Sequence, residues 1–191
     1  MPPRTRVSRE DIITAATELV RIHGTEALNA RALAARLQSS TQPIFSNFAN
    51  MDEVKHAVIE RANKLYTEKT NEVTQSGKYP PYKSTGMAYI RFAKEEKEFF
   101  KLLYMRDRSA EPATLDFHIE PAVEVLMKTT GFDLDTAERF HLSMWACVHG
   151  FATMAASNFV DIPDEIISDA ITDIYMSLLA QTKEKNNEKS N

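Results

Sequence analysis

Apolar residues return every three or four positions over most of this chain and almost nowhere in strict alternation, a pattern that predicts helices throughout. Ile12, Ala16, Leu19 and Val20 form a first stripe, opened by Ser8 with Asp11 as capping-box partner and stopped by Gly24. Asn29 is placed to cap a short second helix whose apolar face is Leu33, Ala34 and Leu37. Gln38, Ser39 and Ser40 then separate it from a third helix of about eight residues, which Ser40 is expected to cap, with Pro43 in the first turn and Ile44, Phe45 and Phe48 as apolar contacts. Two short helices joined by so brief a turn make a helix-turn-helix pattern. A long amphipathic run follows from Met51, carrying Val54, Val58, Ala62 and Leu65, and ends before the loop at 77–82 with its Pro80-Pro81 pair. Further helices are expected at roughly 84–95, 96–107, 114–130, 134–159 and 164–182, with a polar tail after them.

The expected fold is therefore all-α, about nine helices. Residues 1–50 are read as a helix-turn-helix head, 51–183 as a helical body and 184–191 as the tail. Composition agrees: 43% of the 191 residues are hydrophobic, enough to fill a core, and only 5 are Gly. The one Cys, Cys147, stands in an apolar stretch, which points to a buried structural thiol in a reducing cytoplasm. No apolar run is long enough to span a membrane. Charge alters the picture more. The chain has a formal net charge of -4, yet residues 1–47 hold six Arg against four carboxylates, so a basic head sits on an acidic body. That distribution suits a protein of which only the head meets phosphate.

Within residues 29–48 the apolar positions must face inward, which leaves Thr41, Gln42, Phe45, Ser46 and Asn47 on the forward side. Short polar side chains there can reach base edges in a major groove and the phosphates beside it. The plainer reading of the same spacing is a helical hairpin whose polar residues only face water.

At this point the sequence resembles the TetR-like repressors, from Ile12 to Val58. The resemblance is carried by Ala15-Ala16 with Leu19, Gly24, Leu33-Ala34, Ser40, Ile44-Phe45, Phe48, and Asp52-Glu53 with Val54. It implies a head that reads a double-stranded DNA operator and a body that forms a homodimer and holds a small-molecule effector. It further implies that Asn29 and Ser40 cap helices and touch phosphate, and that Thr41, Gln42, Pro43 and Asn47 lie nearest the bases. Phe45 would pack on sugar-phosphate with Ser46, and Arg4 and Arg6 would extend along the backbone or minor groove. Three positions depart from the family pattern. Gln38 stands where a turn Gly is usual, Ser39 replaces an apolar residue, and Met51 replaces a Lys that reaches phosphate.

The body offers two further patterns. Residues 140–156 and the last helix carry wide apolar faces with small residues among them, expected to pair with their copies in a four-helix interface through Phe151, Ala155, Ile167, Ile171, Ile174 and Leu178. Aromatic and Met residues cluster as well. Of these Phe99, Tyr104, Met127, Trp145 and His149 are candidates to line a largely apolar effector pocket, with His118 a further polar handle, although such residues at helical spacing also fill cores. Two Glu-x-x-His pairs, Glu53 with His56 and Glu138 with His141, raise a di-iron bundle enzyme as an alternative, and an activator of the same fold without an effector is another. No phosphate loop, nucleophile triad or Cys/His metal spacing is present in the sequence, so the reading is a non-enzymatic regulator with no cofactor.

Overall fold

The computed structural model describes residues 7–107 and 119–190, and Arg4, Arg6 and His118 lie outside them. Its helices are α1 (Arg9–His23), α2 (Ala30–Arg36), α3 (Gln42–Asn47), α4 (Met51–Gln75), α5 (Pro81–Glu95), α6 (Lys97–Tyr104), α7 (Ile119–Thr130), α8 (Leu134–Ala156) and α9 (Asp164–Ser190), with a single 3₁₀ turn at Thr25–Ala27. Among the described residues there is no strand. The expected helices are all found. The last one continues through the segment read as a polar tail, because Lys183 to Lys189 are mostly good helix formers and no Gly or Pro stops them.

The chain folds as two compact units, one drawn from 1–67 and 96–106, the other from 68–95 and 107–191. This division by compactness differs from the functional one placed at residue 50. It puts α6, which begins 50 residues after the end of α3 in sequence, together with α1.

In the first unit α1 packs against α2, α3 and α6. Ser8 caps α1: its Oγ accepts from Asp11 N at 3.1 Å, and the Asp11 carboxylate accepts from Ser8 Oγ at 2.7 Å and from Ser8 N at 2.9 Å, two bonds that hold the carboxyl below its ordinary range. Ile12, Ala16, Val20, Leu33, Ile44 and Phe100 are fully buried. Each large side chain among them contributes about 1.5–3 kcal/mol by leaving water. Arg21 donates from Nε and Nη2 to the two oxygens of buried Glu96, at 2.8 and 2.5 Å, and so fastens α1 to the start of α6. Gly24 adopts φ 79, a left-handed conformation that favours Gly at the residue that ends α1; a Cβ there would lie 2.8 Å from Glu98 Oε2, the movable end of a side chain on α6.

In the second unit α8 is the central helix, packed on α5, α7 and α9. A Cβ on Gly86 would come within 3.2 Å of Val148 Cγ2, the close approach that lets α5 lie along α8. Two Tyr–His hydrogen bonds bridge that seam, Tyr82 Oη to His141 Nδ1 at 2.8 Å and Tyr89 Oη to His149 Nδ1 at 2.9 Å. Both numbers rise together, so the two helices run parallel. Phe140 closes the cluster against Phe132, Tyr82 and Tyr175, with ring centroids 5.3–6.4 Å apart.

Candidate nucleic-acid interface

The turn between α2 and α3 is built by backbone hydrogen bonds. Asn29 caps α2 as expected, its Oδ1 accepting from Ala32 N at 3.0 Å. At the other end Gln38 N donates to Ala35 O and Ser39 N to Ala34 O, while Gln38 takes φ 49. These two bonds define a Schellman motif with Gln38 in its left-handed position. The missing Gly is thus not avoided; the chain accepts a conformational cost of about 1 kcal/mol at Gln38.

One expectation is corrected here. Ser40 does not cap α3: the N-cap is Thr41, whose carbonyl accepts from Ile44 N and Phe45 N, and no side chain caps the helix. Pro43, near the start, has no N–H to satisfy, which lowers the need for a cap.

α3 buries Ile44 and presents the other side to solvent. Thr41, Gln42, Phe45 and Ser46 are exposed, Pro43 and Asn47 half-buried. Phe45 is 50% exposed, an unusual display for an aromatic ring on so small a helix. Two of the polar groups are engaged with α3 itself, Ser46 Oγ donating to Gln42 O at 2.9 Å and Asn47 Nδ2 to Pro43 O at 2.8 Å. Their acceptor oxygens remain available, and so do the side chains of Thr41 and Gln42. The helix that follows is capped by Asn50, which accepts from Glu53 N at 2.9 Å, while Glu53 Oε2 accepts from Ala49 N at 2.7 Å. Arg9 lies over the Phe48 ring at 4.4 Å.

The positive charge of this head is thinner than a count of arginines suggests. Arg9 pairs with Glu53, Arg21 with Glu96, Arg36 with Glu18 and Arg61 with Glu10. Exposed Arg31 on α2 and half-buried Lys55 on α4 have no carboxylate partner among the described residues. These two cations are candidates that the sequence reading did not single out, because composition shows which residues are charged and not which are already neutralised.

The candidate effector residues are divided between the units. Phe99, on α6, is 2% exposed in the core of the first unit. Tyr104, also on α6, packs against Tyr66 and Phe100, with centroids at 5.9 and 5.2 Å. Met127, Trp145 and His149 belong to the second unit, all half-buried. There the Trp145 and His149 rings stack at 4.8 Å and 18°, with Tyr89 on the imidazole Nδ1. Burial holds His149 below the ordinary imidazole value, which favours the neutral ring.

Of the expected interface residues, Ala155, Ile167 and Ile171 are 7, 1 and 3% exposed within a single chain and belong to its own core. Periodicity alone located the apolar stripe of α9 but could not tell its inner edge from its outer one. Phe151 and Leu178 are half-buried and Ile174 is 38% exposed; Ile166, next to Ile167, is 58% exposed. The metal alternative meets a geometric obstacle: Glu138 is exposed while His141 is buried, so that Glu-x-x-His pair does not converge. No group of three metal-binding side chains exists among the described residues. No helix there is long and apolar enough to cross a membrane.

Fold and site together define an all-helical protein with a helix-turn-helix in one compact unit and a second unit that is helical as well. Residues 83–177 match the family described as Tetracyclin repressor-like, C-terminal domain. This match does not overlap the stretch, 12–58, that carries the resemblance in the head. The chain belongs to the TetR-like family of transcriptional regulators. Similar solved structures include a TetR-like transcriptional regulator from Rhodococcus sp. RHA1, at 18% identity, covering 93% of this chain and 98% of that one with a TM-score of 0.69. A protein with unknown function from the same organism aligns at 20% identity over 94% of this chain and 100% of its own, TM-score 0.72. A TetR family member from Streptomyces coelicolor A3 aligns at 17% over 90% and 98%, TM-score 0.61. No curated protein matches the sequence.

Proposed function

We propose that this regulator is a homodimeric repressor that binds a double-stranded DNA operator in the cytoplasm and leaves it when a largely apolar small molecule occupies the body. The observation that carries the DNA-binding part is the outward face of α3, where Thr41, Gln42 and Phe45 stand exposed while Ile44 alone of the helix is buried. Gln42 and Asn47 offer amide groups of the kind that pair with adenine, and Phe45 suits a thymine methyl or a sugar. Asn29, Ser40 and Ser46, with Arg31 and Lys55 as cations, would meet phosphate. Arg4 and Arg6 would add to the same charge, from outside the described residues. Because Met51 supplies no cation and four arginines are paired internally, operator affinity should fall with salt less steeply than in a head with many phosphate contacts.

The effector reading is supported by the half-buried Trp145–His149 stack with Tyr89 behind it and Met127 in the same unit. An aromatic platform bearing a neutral imidazole suits an uncharged, mostly apolar ligand. The dimer reading is supported by the apolar outer faces of α8 and α9, Ile174 and Leu178 among them.

A gel shift against the DNA upstream of the protein's own coding region tests the central claim. The double variant Gln42→Ala with Asn47→Ala should lose about 2–6 kcal/mol of specific binding while retaining its non-specific affinity. Unchanged operator affinity would remove α3 from base reading.

A further inference from the structure

We infer that Arg9, the first residue of α1, is a positioning residue for base reading: it sets the angle of α3 by clamping the corner between α3 and α4. The inference rests on the reading of α3 as the element that meets the bases, and it adds a residue that acts without touching DNA.

α3 cannot orient itself. It has six residues, far fewer than the roughly 12 that an isolated helix needs, no side chain caps its start, and Ile44 is its one buried side chain. A single anchor leaves a short rod free to turn about that point. The second anchor comes four residues on. Phe48, the C-cap, is 2% exposed and donates its N–H to Ile44 O at 2.9 Å. Residues four apart lie on one helix face, so Ile44 and Phe48 together fix both the tilt and the rotation of α3. Whatever holds Phe48 then decides where Thr41, Gln42 and Phe45 point.

Arg9 holds it. The guanidinium lies over the Phe48 ring, 4.4 Å from its centre, and Nη2 donates to Glu53 Oε1 at 3.5 Å. Glu53 uses its other oxygen to accept from Ala49 N at 2.7 Å and gives its own N–H to Asn50 Oδ1 at 2.9 Å. All three residues between α3 and α4 are thereby held, Phe48 through its ring and Ala49 and Asn50 through Glu53. Arg9 reaches this corner from a fixed backbone, because the Ser8–Asp11 capping box secures the start of α1.

Both of its contacts are modest. A cation over a ring and a half-exposed ion pair add little to folding, so their loss leaves the head folded. Base recognition is more exacting, since amide groups that pair with a base edge must be held to within about 0.5 Å. A corner that slackens therefore costs specificity before it costs stability. The opposite role, a direct phosphate contact, predicts the opposite behaviour of Glu53. For an arginine meant for phosphate, that carboxylate is a competitor; for a positioning arginine it is part of the clamp.

Gel shifts with the DNA upstream of the coding region and with an unrelated duplex of equal length, each over a salt series, separate the two roles. Arg9→Ala should weaken binding to the upstream DNA about tenfold while holding the unrelated duplex within about twofold. The slope of log affinity against log salt should stay as it is, whereas a lost phosphate contact would make it shallower by about 0.9. In Glu53→Gln the amide oxygen can still accept from Ala49 N, but the ion pair with Arg9 is gone. This variant should also weaken binding to the upstream DNA, although it removes a negative charge, and its loss should not add to that of Arg9→Ala. Arg9→Lys keeps a cation for the ring and should recover most of the affinity. Tighter binding by Glu53→Gln, a shallower salt slope in Arg9→Ala, or an Arg9→Ala protein that loses both DNAs equally or neither overturns the positioning role. Should Arg9→Ala fail to fold, the sign of the Glu53→Gln effect decides alone. If Gln42→Ala with Asn47→Ala loses affinity for the upstream DNA and Arg9→Ala does not, only the positioning role falls; if neither loses it, base reading by α3 falls as well.

Discussion

In the first unit helix is tied to helix by charge, with Arg21 on Glu96, Arg36 on Glu18, Arg61 on Glu10 and Arg9 shared between Glu53 and the Phe48 ring. In the second unit one ion pair, Lys94 on Asp164, joins α5 to α9, and most of the other ties are rings, with Tyr82 on His141, Tyr89 on His149, and Phe140 among Phe132, Tyr82 and Tyr175. The difference fits the proposed division of labour. For a head proposed to approach DNA, arginines already engaged with glutamates lend structure without making it indiscriminately cationic; for a body proposed to receive an apolar molecule, an aromatic interior whose burial disfavours charged histidines is suited to the task. The two units should therefore respond to different disturbances.

The largest effect is expected in the ring cluster. Phe140 is 2% exposed, and Phe140→Ala should destabilise the second unit by about 3–5 kcal/mol, since a cavity opens where three rings meet. Trp145 is the only Trp in the chain and lies in this unit, so its fluorescence during urea unfolding reads the loss directly. A midpoint unchanged within error would show that the cluster bears no load.

In the first unit, Arg21→Ala leaves a carboxylate with a 2% exposed side chain and without its bidentate partner. The expected cost is about 2–3 kcal/mol, less than for a fully buried pair because Arg21 itself is half in water. The loss should appear in thermal melting followed by circular dichroism, with the Trp145 signal shifted less. An equal shift in both signals would mean that the units do not respond separately.

Acid provides the third contrast. Burial holds His141 and His149 below the ordinary value of 6.5, so the unfolded chain takes up protons first as pH falls. The stability they contribute is complete above about pH 6.5 and is lost as pH drops through their lowered folded values. The second unit should thus weaken between pH 7 and 5, and His141→Gln should reduce that slope. A melting temperature of the parent that is flat over this range would contradict the neutral, buried reading of these rings.

The smallest effect concerns two turns of the same design. Gln38 and Asn158 occupy the left-handed position of matching Schellman motifs, at φ 49 and φ 57. Asn tolerates that region better than Gln does. Gln38→Gly should therefore stabilise the head by about 1 kcal/mol, and Asn158→Gly should change the body by less. Differential scanning calorimetry on both variants ranks the two turns; the reverse order would point to a side-chain contact of Gln38 that favours the strained form.

What the sequence determined by itself was what neighbours within one turn decide. The Ser8–Asp11 capping box, the Asn29 cap, the stop at Gly24 and the apolar stripes all rest on contacts three or four residues apart, and each is found where the pattern placed it. Tertiary structure decided the rest. It turned Ile167 and Ile171 inward and left Ile166 and Ile174 outside, because a stripe wider than the core it covers has no internal mark for its centre. It drew α6 onto α1 through Arg21 and Glu96, partners 75 residues apart whose pairing no local rule can foresee. It spent four arginines on glutamates and left Arg31 without a carboxylate partner among the described residues, which changes the charge that DNA would meet without changing the composition. The general reason is that local order follows from the chain's own geometry, whereas burial and pairing depend on which distant surface arrives to compete with water.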